Sequence, residues 1–328
     1  MLIWRIEALD LKLQYSRSAA QAAGNGKINF LVQVSDGTYS GFGEAALALR
    51  YGETPELLLK QYKVLLLAGL PQLQSMDELL QLLVQHPPVN ALRFAIESAY
   101  LHYFCQHKAI PVYQLLGQSL PQAQATGFTL PALEPWQVRE FVQHHDLDRF
   151  QHLKVRVSPE AGMPLVHELL QVTDLPLVLD GHESWQNPDA LLVFLESLDR
   201  RRVLFVEQPM PAAKVAAYAH LKNETPIPLI AEESLTDEAD FDMLRTQFHG
   251  ISIRLMKAGG YLNTVRLLQQ AKNNGLLTVL NSVVETSLST WSALQLSNAF
   301  DFVDLSGFLA LEQDPFGLVK EREGFLYL

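Results

Sequence analysis

Short apolar runs alternate with longer amphipathic stretches from about residue 124 to residue 305. Short apolar runs predict buried strands, and apolar residues at three- and four-residue spacings predict helices. Eight parallel strands that alternate with helices close into a barrel, so this pattern predicts an α/β barrel. The predicted strands are 124–130, 151–157, 176–180, 203–207, 227–231, 249–255, 276–281 and 301–305.

The part of the chain before this alternation has a different pattern. Residues 1–46 are rich in strand-like segments, two of which flank the turn Ser35-Asp-Gly37 and predict a hairpin. Residues 55–116 carry leucines at helical spacing, with an interruption at Pro87-Pro88. These two stretches predict a separate α+β domain.

The turn-forming residues near position 120 mark a boundary between the two patterns. We therefore expect an α+β domain over residues 1–122 and a barrel domain over residues 123–307. The final segment, 308–328, shows little helical periodicity, and we expect it to return to the first domain.

The composition narrows the classes of function. The chain has 328 residues and a net charge of −11, which argues against nucleic acid as a partner. No apolar stretch is long enough to span a bilayer, and residues 1–10 do not resemble a secretory signal. Cys105 is the only cysteine, which excludes an intrachain disulfide. We expect a cytoplasmic enzyme that acts on a small-molecule substrate. The sequence leaves open whether the protein forms a homo-oligomer.

Three acidic residues stand at the ends of three successive predicted strands. Asp180, Glu207 and Glu232 each follow an apolar run and are separated by about one strand–helix unit. Residues at the carboxyl ends of barrel strands meet at one rim, where active sites of this fold lie. Carboxylates that converge there without basic partners repel one another and require a cation, and oxygen ligands favour Mg²⁺.

Basic residues stand one unit to either side of these acids. Lys154 and Arg156 lie on the preceding strand and point the same way, because successive strand residues alternate. Arg254 lies near the end of the predicted strand 249–255, one unit after Glu232, and His182 shares a direction with Asp180. These residues either balance the acidic charge or handle protons and hold an anionic substrate.

The order of motifs resembles the enolase superfamily, in its muconate-lactonising subgroup. The resemblance implies a modified (β/α)₇β TIM barrel beneath an α+β capping domain, with Mg²⁺ on Asp180, Glu207 and Glu232. That family usually has Asp at the third position, where Glu233 is the alternative here. The motifs are 41–45 (GFGEA), 95–97 (AIE), 110–117 (IPVYQLLG), 154–156 (KVR), 179–185 (LDGHESW), 206–209 (VEQP), 230–234 (IAEES), 253–260 (IRLMKAGG) and 285–287 (ETS).

The resemblance also implies removal of a proton next to a substrate carboxylate, with Mg²⁺ as the Lewis acid. In the subgroup two lysines transfer the proton, but Arg156 and Arg254 occupy their positions here. A guanidinium stays protonated in proteins, so it stabilises an anion but accepts a proton poorly. Lys154 and His182 are therefore the substitute candidates for a base.

Three functions compete within this resemblance. Dipeptide epimerases are favoured by the loop with Arg50 and Tyr51, which we expect to contact substrate, and by Asp304 near the last strand. Their usual second acid is replaced by Ser306. An o-succinylbenzoate synthase, which dehydrates a succinyl-cyclohexadiene carboxylate, is favoured by the stretch at Glu285, and one base suffices for its reaction. The third alternative is a carboxylate-binding homologue that has lost catalysis.

Overall fold

The computed structural model describes residues 1–15, 26–120 and 122–328. An antiparallel sheet forms the first layer of the N-terminal domain, with β2 paired to both of its neighbours. Four helices follow in sequence, and the longest buries one face against this sheet. The elements are β1 Ile3–Lys12, β2 Gly26–Ser35, β3 Ser40–Ala45, α1 Pro55–Leu67, α2 Met76–Gln85, α3 Asn90–Lys108 and α4 Val112–Leu115.

The boundaries of the first helices follow from capping residues. Thr54 accepts a hydrogen bond from the Leu57 amide at the start of α1, and Ser75 accepts one from the Glu78 amide at the start of α2. Such caps satisfy amides that have no partner within the helix.

The second part of the chain alternates strands and helices as the sequence predicts. Eight strands form a nearly closed parallel sheet in the order β5 to β12, which confirms the predicted barrel with a capping domain. The elements are β4 Gln124–Ala125, β5 Phe128–Thr129, α5 Val138–His144, β6 Leu153–Arg156, α6 Gly162–Val172, β7 Leu177–Asp180, α7 Pro188–Glu196, β8 Val203–Glu207, α8 Val215–Glu224, β9 Leu229–Ala231, α9 Phe241–Gln247, β10 Gly250–Ile253, α10 Leu255–Ala258, α11 Tyr261–Asn273, β11 Leu277–Asn281, α12 Ser287–Leu294 and β12 Phe302–Asp304.

An apolar plug fills the barrel interior. Its buried members are Val178, Phe205, Ile230 and Val279, each from a different strand. Because side chains alternate along a strand, the residue two positions further on has the same facing. In this way the plug supports a polar layer above it at the carboxyl ends of the strands.

The C-terminal tail crosses between the two parts of the chain. Strands β13 Lys320–Arg322 and β14 Phe325–Tyr327 form a hairpin, and β14 also pairs with β4. Val319 and Leu326 pack into the apolar cluster that holds most of the N-terminal domain. The proposed domain limits stay a prediction.

Among the described residues, no helix is long and apolar enough to cross a membrane.

Two buried carboxylates of the N-terminal domain join it to the barrel. Glu44 accepts hydrogen bonds from the Thr286 amide and the Ser289 hydroxyl at the start of α12. Glu97 accepts one from the Leu262 amide at the start of α11. A side chain at Gly260 would meet the Glu97 carboxylate at 2.3 Å, so glycine permits this approach.

Candidate active site

Asp180 and Glu207 lie side by side at the rim of the barrel. They are register partners on adjacent parallel strands, and Glu207 in turn pairs with Ile230. Glu232 lies two residues beyond Ile230. Each of the three acids therefore lies two residues beyond a residue of the apolar plug and shares its inward facing.

A missing side chain lets the loops that follow Asp180 and Glu207 approach each other. A Cβ atom at Gly181 would lie 2.3 Å from the Cα of Pro209, closer than atoms can pack. The Gly181 amide also donates to the Glu207 carbonyl at 2.9 Å. Glycine at this position therefore permits the close approach of the loops that follow the first two carboxylates.

Lys154 and Glu207 form a buried ion pair. The Lys154 Nζ is 2.5 Å from Glu207 Oε2 and 3.9 Å from Asp304 Oδ2. Burial lowers the pKa of Lys154, but the charges of Glu207, Asp304 and Asp180 outweigh it and leave that pKa above its ordinary value. Burial raises the pKa of Glu207 to about 7, although Lys154 opposes the change. One ammonium therefore only partly compensates the burial of this carboxylate.

The other two acids also have basic partners. Arg156 lies 3.7 Å from Asp180, and both Arg254 and Lys257 lie 3.2 Å from Glu232. Burial would raise the pKa of Glu232, but the two cations outweigh it and hold that pKa well below its ordinary value. The basic residues therefore pair with the carboxylates in this structure, which is one of the two roles that the sequence left open for them. Lys257, one helical turn beyond Arg254, is a partner of Glu232 that the sequence analysis does not identify.

Carboxylate oxygens are ligands that Mg²⁺ prefers, although in this structure the three carboxylates contact basic side chains. Within the described ranges, no three Asp, Glu, His or Cys side chains are grouped closely enough to hold a metal. Two observations nevertheless favour an added cation. The burial of Glu207 is incompletely compensated. Glu233 Oε2 is also buried without a hydrogen-bond partner among the residues described. A hard cation with oxygen ligands fits this chemistry.

A cavity of about 260 Å³ opens beside the carboxylates. Its wall combines three cationic side chains, one carboxylate, a histidine, and several neutral polar and apolar side chains. The lining residues are Thr129, Leu130, Lys154, Arg156, Asp180, His182, Arg254, Asn281, Ser282, Val283 and Val284. The predicted Lys154, Arg156 and Arg254 therefore face one cavity together with Asp180.

His182 lies at the mouth of the cavity with 41% of its side chain exposed. Its Nδ1 is 3.1 Å from Glu233 Oε1, and its backbone has a φ of 43°. The His182 amide donates to Asp180 Oδ1 at 3.1 Å. His182 thus orients the first carboxylate through its backbone and presents an imidazole to the cavity.

Arg50 connects the capping domain to two loops of the barrel. Its guanidinium donates to Glu183 and, at 2.9 Å, to Glu233. Tyr51 lies over Lys257, with the ammonium 5.1 Å from the centre of the ring. Arg50 and Tyr51 were predicted to contact substrate, but neither is among the lining residues of the 260 Å³ cavity. Tyr51 instead lines a second cavity of about 190 Å³.

The three remaining candidates, Glu285, Asp304 and Ser306, are buried and are not among the lining residues of the cavity. Asp304 is buried and accepts hydrogen bonds from Thr129 Oγ1 at 3.2 Å and from Ser306 Oγ at 3.1 Å. Ser306 Oγ also accepts from the Thr129 amide at 3.2 Å. Glu285 is buried directly after the lining segment 281–284. Asp304 and Ser306 thus support the wall residue Thr129, and the substrate contacts of all three candidates stay a prediction.

Asn281 is a polar residue of the site that sequence reasoning missed. Its amide nitrogen lies 3.4 Å from both carboxylate oxygens of Glu207 and 3.2 Å from Ser252 Oγ. The available signal was its position after the largely apolar segment 277–280, which resembles the position of the three acids relative to their strands.

Comparison with known proteins identifies one matching family model and several related epimerases. A family model described as enolase C-terminal domain-like matches residues 137–317. The L-Ala-D/L-Glu epimerase of Bacteroides thetaiotaomicron is 26% identical over 320 residues, which cover 97% of this chain and 83% of the relative. The L-Ala-D/L-amino acid epimerase of Pedosphaera parvula is 29% identical over 328 residues, covering 97% and 93%.

Solved structures share the whole fold. The substrate-liganded L-Ala-D/L-Glu epimerase from Bacillus subtilis superposes with a TM-score of 0.89 at 22% identity, covering 99% of this chain and 95% of that one. The dipeptide epimerase from Cytophaga hutchinsonii, complexed with Mg and D-Ala-L-Val, gives 0.88 at 18% identity, covering 100% and 92%. At these identities the superpositions establish the fold alone.

Proposed function

The chain belongs to the enolase superfamily, in its mandelate racemase/muconate-lactonising subgroup, and from that premise we propose that it is a Mg²⁺-dependent isomerase. The reaction inverts the carbon next to the carboxylate of an amino-acid derivative. A dipeptide is the first candidate substrate, because the relatives named above are epimerases of Ala-containing substrates.

The observation that carries this proposal is the shared cavity. Arg156 and Arg254 line it from strands on either side of the three acids, and Lys154 forms part of the same wall. A substrate carboxylate in this cavity would lie among three cations. That arrangement favours binding of an anion and stabilises the negative charge that develops when the neighbouring carbon loses its proton.

Asp180, Glu207 and Glu232 are the residues that would hold Mg²⁺. Bound there, Mg²⁺ would act as a Lewis acid that makes the proton next to the carboxylate more acidic.

The side chains of the cavity have different roles in charge stabilisation and proton transfer. Arg156 and Arg254 stay protonated and stabilise charge. Burial, which is the largest influence on Lys154, lowers its pKa and is opposed mainly by Glu207. A cation bound at Glu207 would weaken the largest of the charges that oppose burial, and this would favour the neutral amine of Lys154 as a base. His182 is the alternative base at the cavity mouth.

A synthase that dehydrates a succinyl-cyclohexadiene carboxylate is the second candidate. One observation favours it: Asp304, the residue that would bind the ammonium group of a dipeptide, is buried, hydrogen-bonded to Thr129 and Ser306, and not among the lining residues of the cavity. A dehydration also requires one base rather than two.

One panel of substrates separates these candidates. Purified protein with Mg²⁺ would be incubated in D₂O with dipeptides, N-acyl amino acids and the cyclohexadiene substrate, and products would be analysed by mass spectrometry. Deuterium next to a carboxylate supports the isomerase, and loss of water from the cyclohexadiene supports the synthase. Mg²⁺ binding without any turnover would point to a homologue that has lost catalysis. The cytoplasmic location and the homo-oligomer stay predictions from the sequence.

A further inference from the structure

Gln208 lies directly after Glu207 and is completely buried. Its backbone adopts a φ of 33°, in the left-handed region that side chains other than glycine rarely occupy. Such a conformation persists only where surrounding contacts hold it in place. The contacts of Gln208 show what that conformation achieves.

The Gln208 side chain binds the loop that carries Glu232. Its Oε1 accepts hydrogen bonds from the Glu232 amide at 3.0 Å and from the Ser234 amide at 2.9 Å. Because backbone amides only donate, these two bonds fix which end of the Gln208 amide is oxygen. The third carboxylate is therefore held in position by a side chain from the neighbouring strand.

The nitrogen end of the same amide faces only acceptors. Gln208 Nε2 lies 2.8 Å from Ser234 Oγ, 3.0 Å from the Tyr218 hydroxyl and 3.1 Å from the Met210 carbonyl. A carboxylate or an apolar side chain could not meet both sets of partners. The position thus requires a primary amide.

The Gln208 backbone extends the connection to the first carboxylate. Its carbonyl accepts from the Glu183 amide at 2.8 Å, in the loop that follows Asp180. Its amide donates to the Ile230 carbonyl at 2.9 Å, two residues before Glu232. One residue therefore bonds to the loops of all three acids.

We infer that Gln208 is a positioning residue that sets the mutual spacing of Asp180, Glu207 and Glu232 for a divalent cation. It contacts neither the cavity nor a carboxylate oxygen in the described structure, and it acts through the backbone that carries the acids. This inference rests on the proposed function, because it assigns the cation to those three residues.

The test compares Mg²⁺ affinity with stability in matched variants. Gln208→Met keeps the length of the side chain and removes both hydrogen-bonding ends. Tyr218→Phe is the control, because it removes a partner of Nε2 but leaves the Oε1 bonds to Glu232 and Ser234. Mg²⁺ dissociation constants would be measured by calorimetry, and thermal unfolding would be followed without metal.

Gln208→Met is expected to weaken Mg²⁺ binding by about 10- to 100-fold, the usual effect of losing a partner that orients a metal ligand. Tyr218→Phe is expected to lower the melting temperature but to change Mg²⁺ affinity less than about twofold, because it leaves the Oε1 bonds intact. If Gln208→Met does not fold, Gln208→Asn keeps the amide, shortens its reach and should also weaken binding.

Two results would overturn the inference. One is a folded Gln208 variant that binds Mg²⁺ as tightly as the wild type. The other is a Tyr218→Phe protein that loses as much affinity as the Gln208 variant, which would indicate general loosening. A wild-type protein that binds no Mg²⁺ would instead reject the proposed function itself, so the two failures are distinguishable.

Discussion

The ammonium of Lys154 lies 2.5 Å from the Glu207 carboxylate, and both side chains are almost completely buried. This pair stands at the centre of the polar layer above the barrel plug. Desolvation makes an isolated charge there costly, so each partner depends on the other. The proposed metal would supply part of the positive charge with which Lys154 compensates the Glu207 carboxylate.

Removal of the Lys154 charge should therefore destabilise the protein in a Mg²⁺-dependent way. Lys154→Met leaves a buried carboxylate uncompensated, and we expect a loss of about 3 kcal/mol of unfolding free energy in metal-free buffer at pH 8. Saturating Mg²⁺ should reduce this difference from the wild type. Urea unfolding with and without Mg²⁺ measures both values, with the exposed Lys60→Met as the control. An equal loss under both conditions would argue against a cation at Glu207.

Glu97 should make the stability of the protein depend on pH. Burial raises its pKa to about 7, above the ordinary value of 4.5. The protonated form is therefore favoured in the folded state, and its stabilising contribution is present below about pH 4.5 and lost as the pH rises through 7.

Glu97→Gln should remove this dependence while keeping an acceptor for the Leu262 amide. Between pH 5 and pH 8, the wild type should lose up to about 3 kcal/mol relative to the variant. Urea unfolding at several pH values measures the difference, with the exposed Glu56→Gln as the control. Parallel pH profiles for wild type and Glu97→Gln would contradict the assigned burial effect.

Arg50 should hold the capping loop against the barrel. Arg50→Ala removes the bonds to Glu183 and Glu233, and we expect faster hydrogen exchange at the Tyr51 and Gly52 amides. The global unfolding free energy should change by less than about 1 kcal/mol, because the guanidinium is partly exposed. Arg201→Ala, which removes an exposed ion pair with Asp199, is the matched control. Unchanged exchange in the loop would show that other contacts hold it.

The barrel could be predicted from the sequence because each strand is a continuous apolar run. Parallel strands buried on both faces have this composition, and the runs at 176–180 and 203–207 match the observed strands to within one residue. Strand parity also predicts that Lys154 and Arg156 point the same way, and both side chains line the same cavity.

The partners of the site residues could not be predicted in the same way. The bonds from Arg50 to Glu183 and Glu233 join segments that are more than a hundred residues apart. The burial of Asp304 behind Thr129 depends on how the last strand meets the first, which no local pattern encodes. Gln208 was visible only as part of a motif, because its role arises from a backbone conformation and from bonds to two other loops.

Mg²⁺-dependent proton exchange next to a substrate carboxylate is the reaction that we propose for this cavity. The most direct measurement is incorporation of solvent deuterium into L-Ala-L-Glu and related dipeptides, followed by mass spectrometry for the wild type and for Glu207→Gln, with Mg²⁺ or with EDTA. We predict deuterium at the carbon next to the carboxylate only for the wild type with Mg²⁺. Equal exchange with EDTA, or no exchange for any dipeptide with Mg²⁺ demonstrably bound, would contradict the claim.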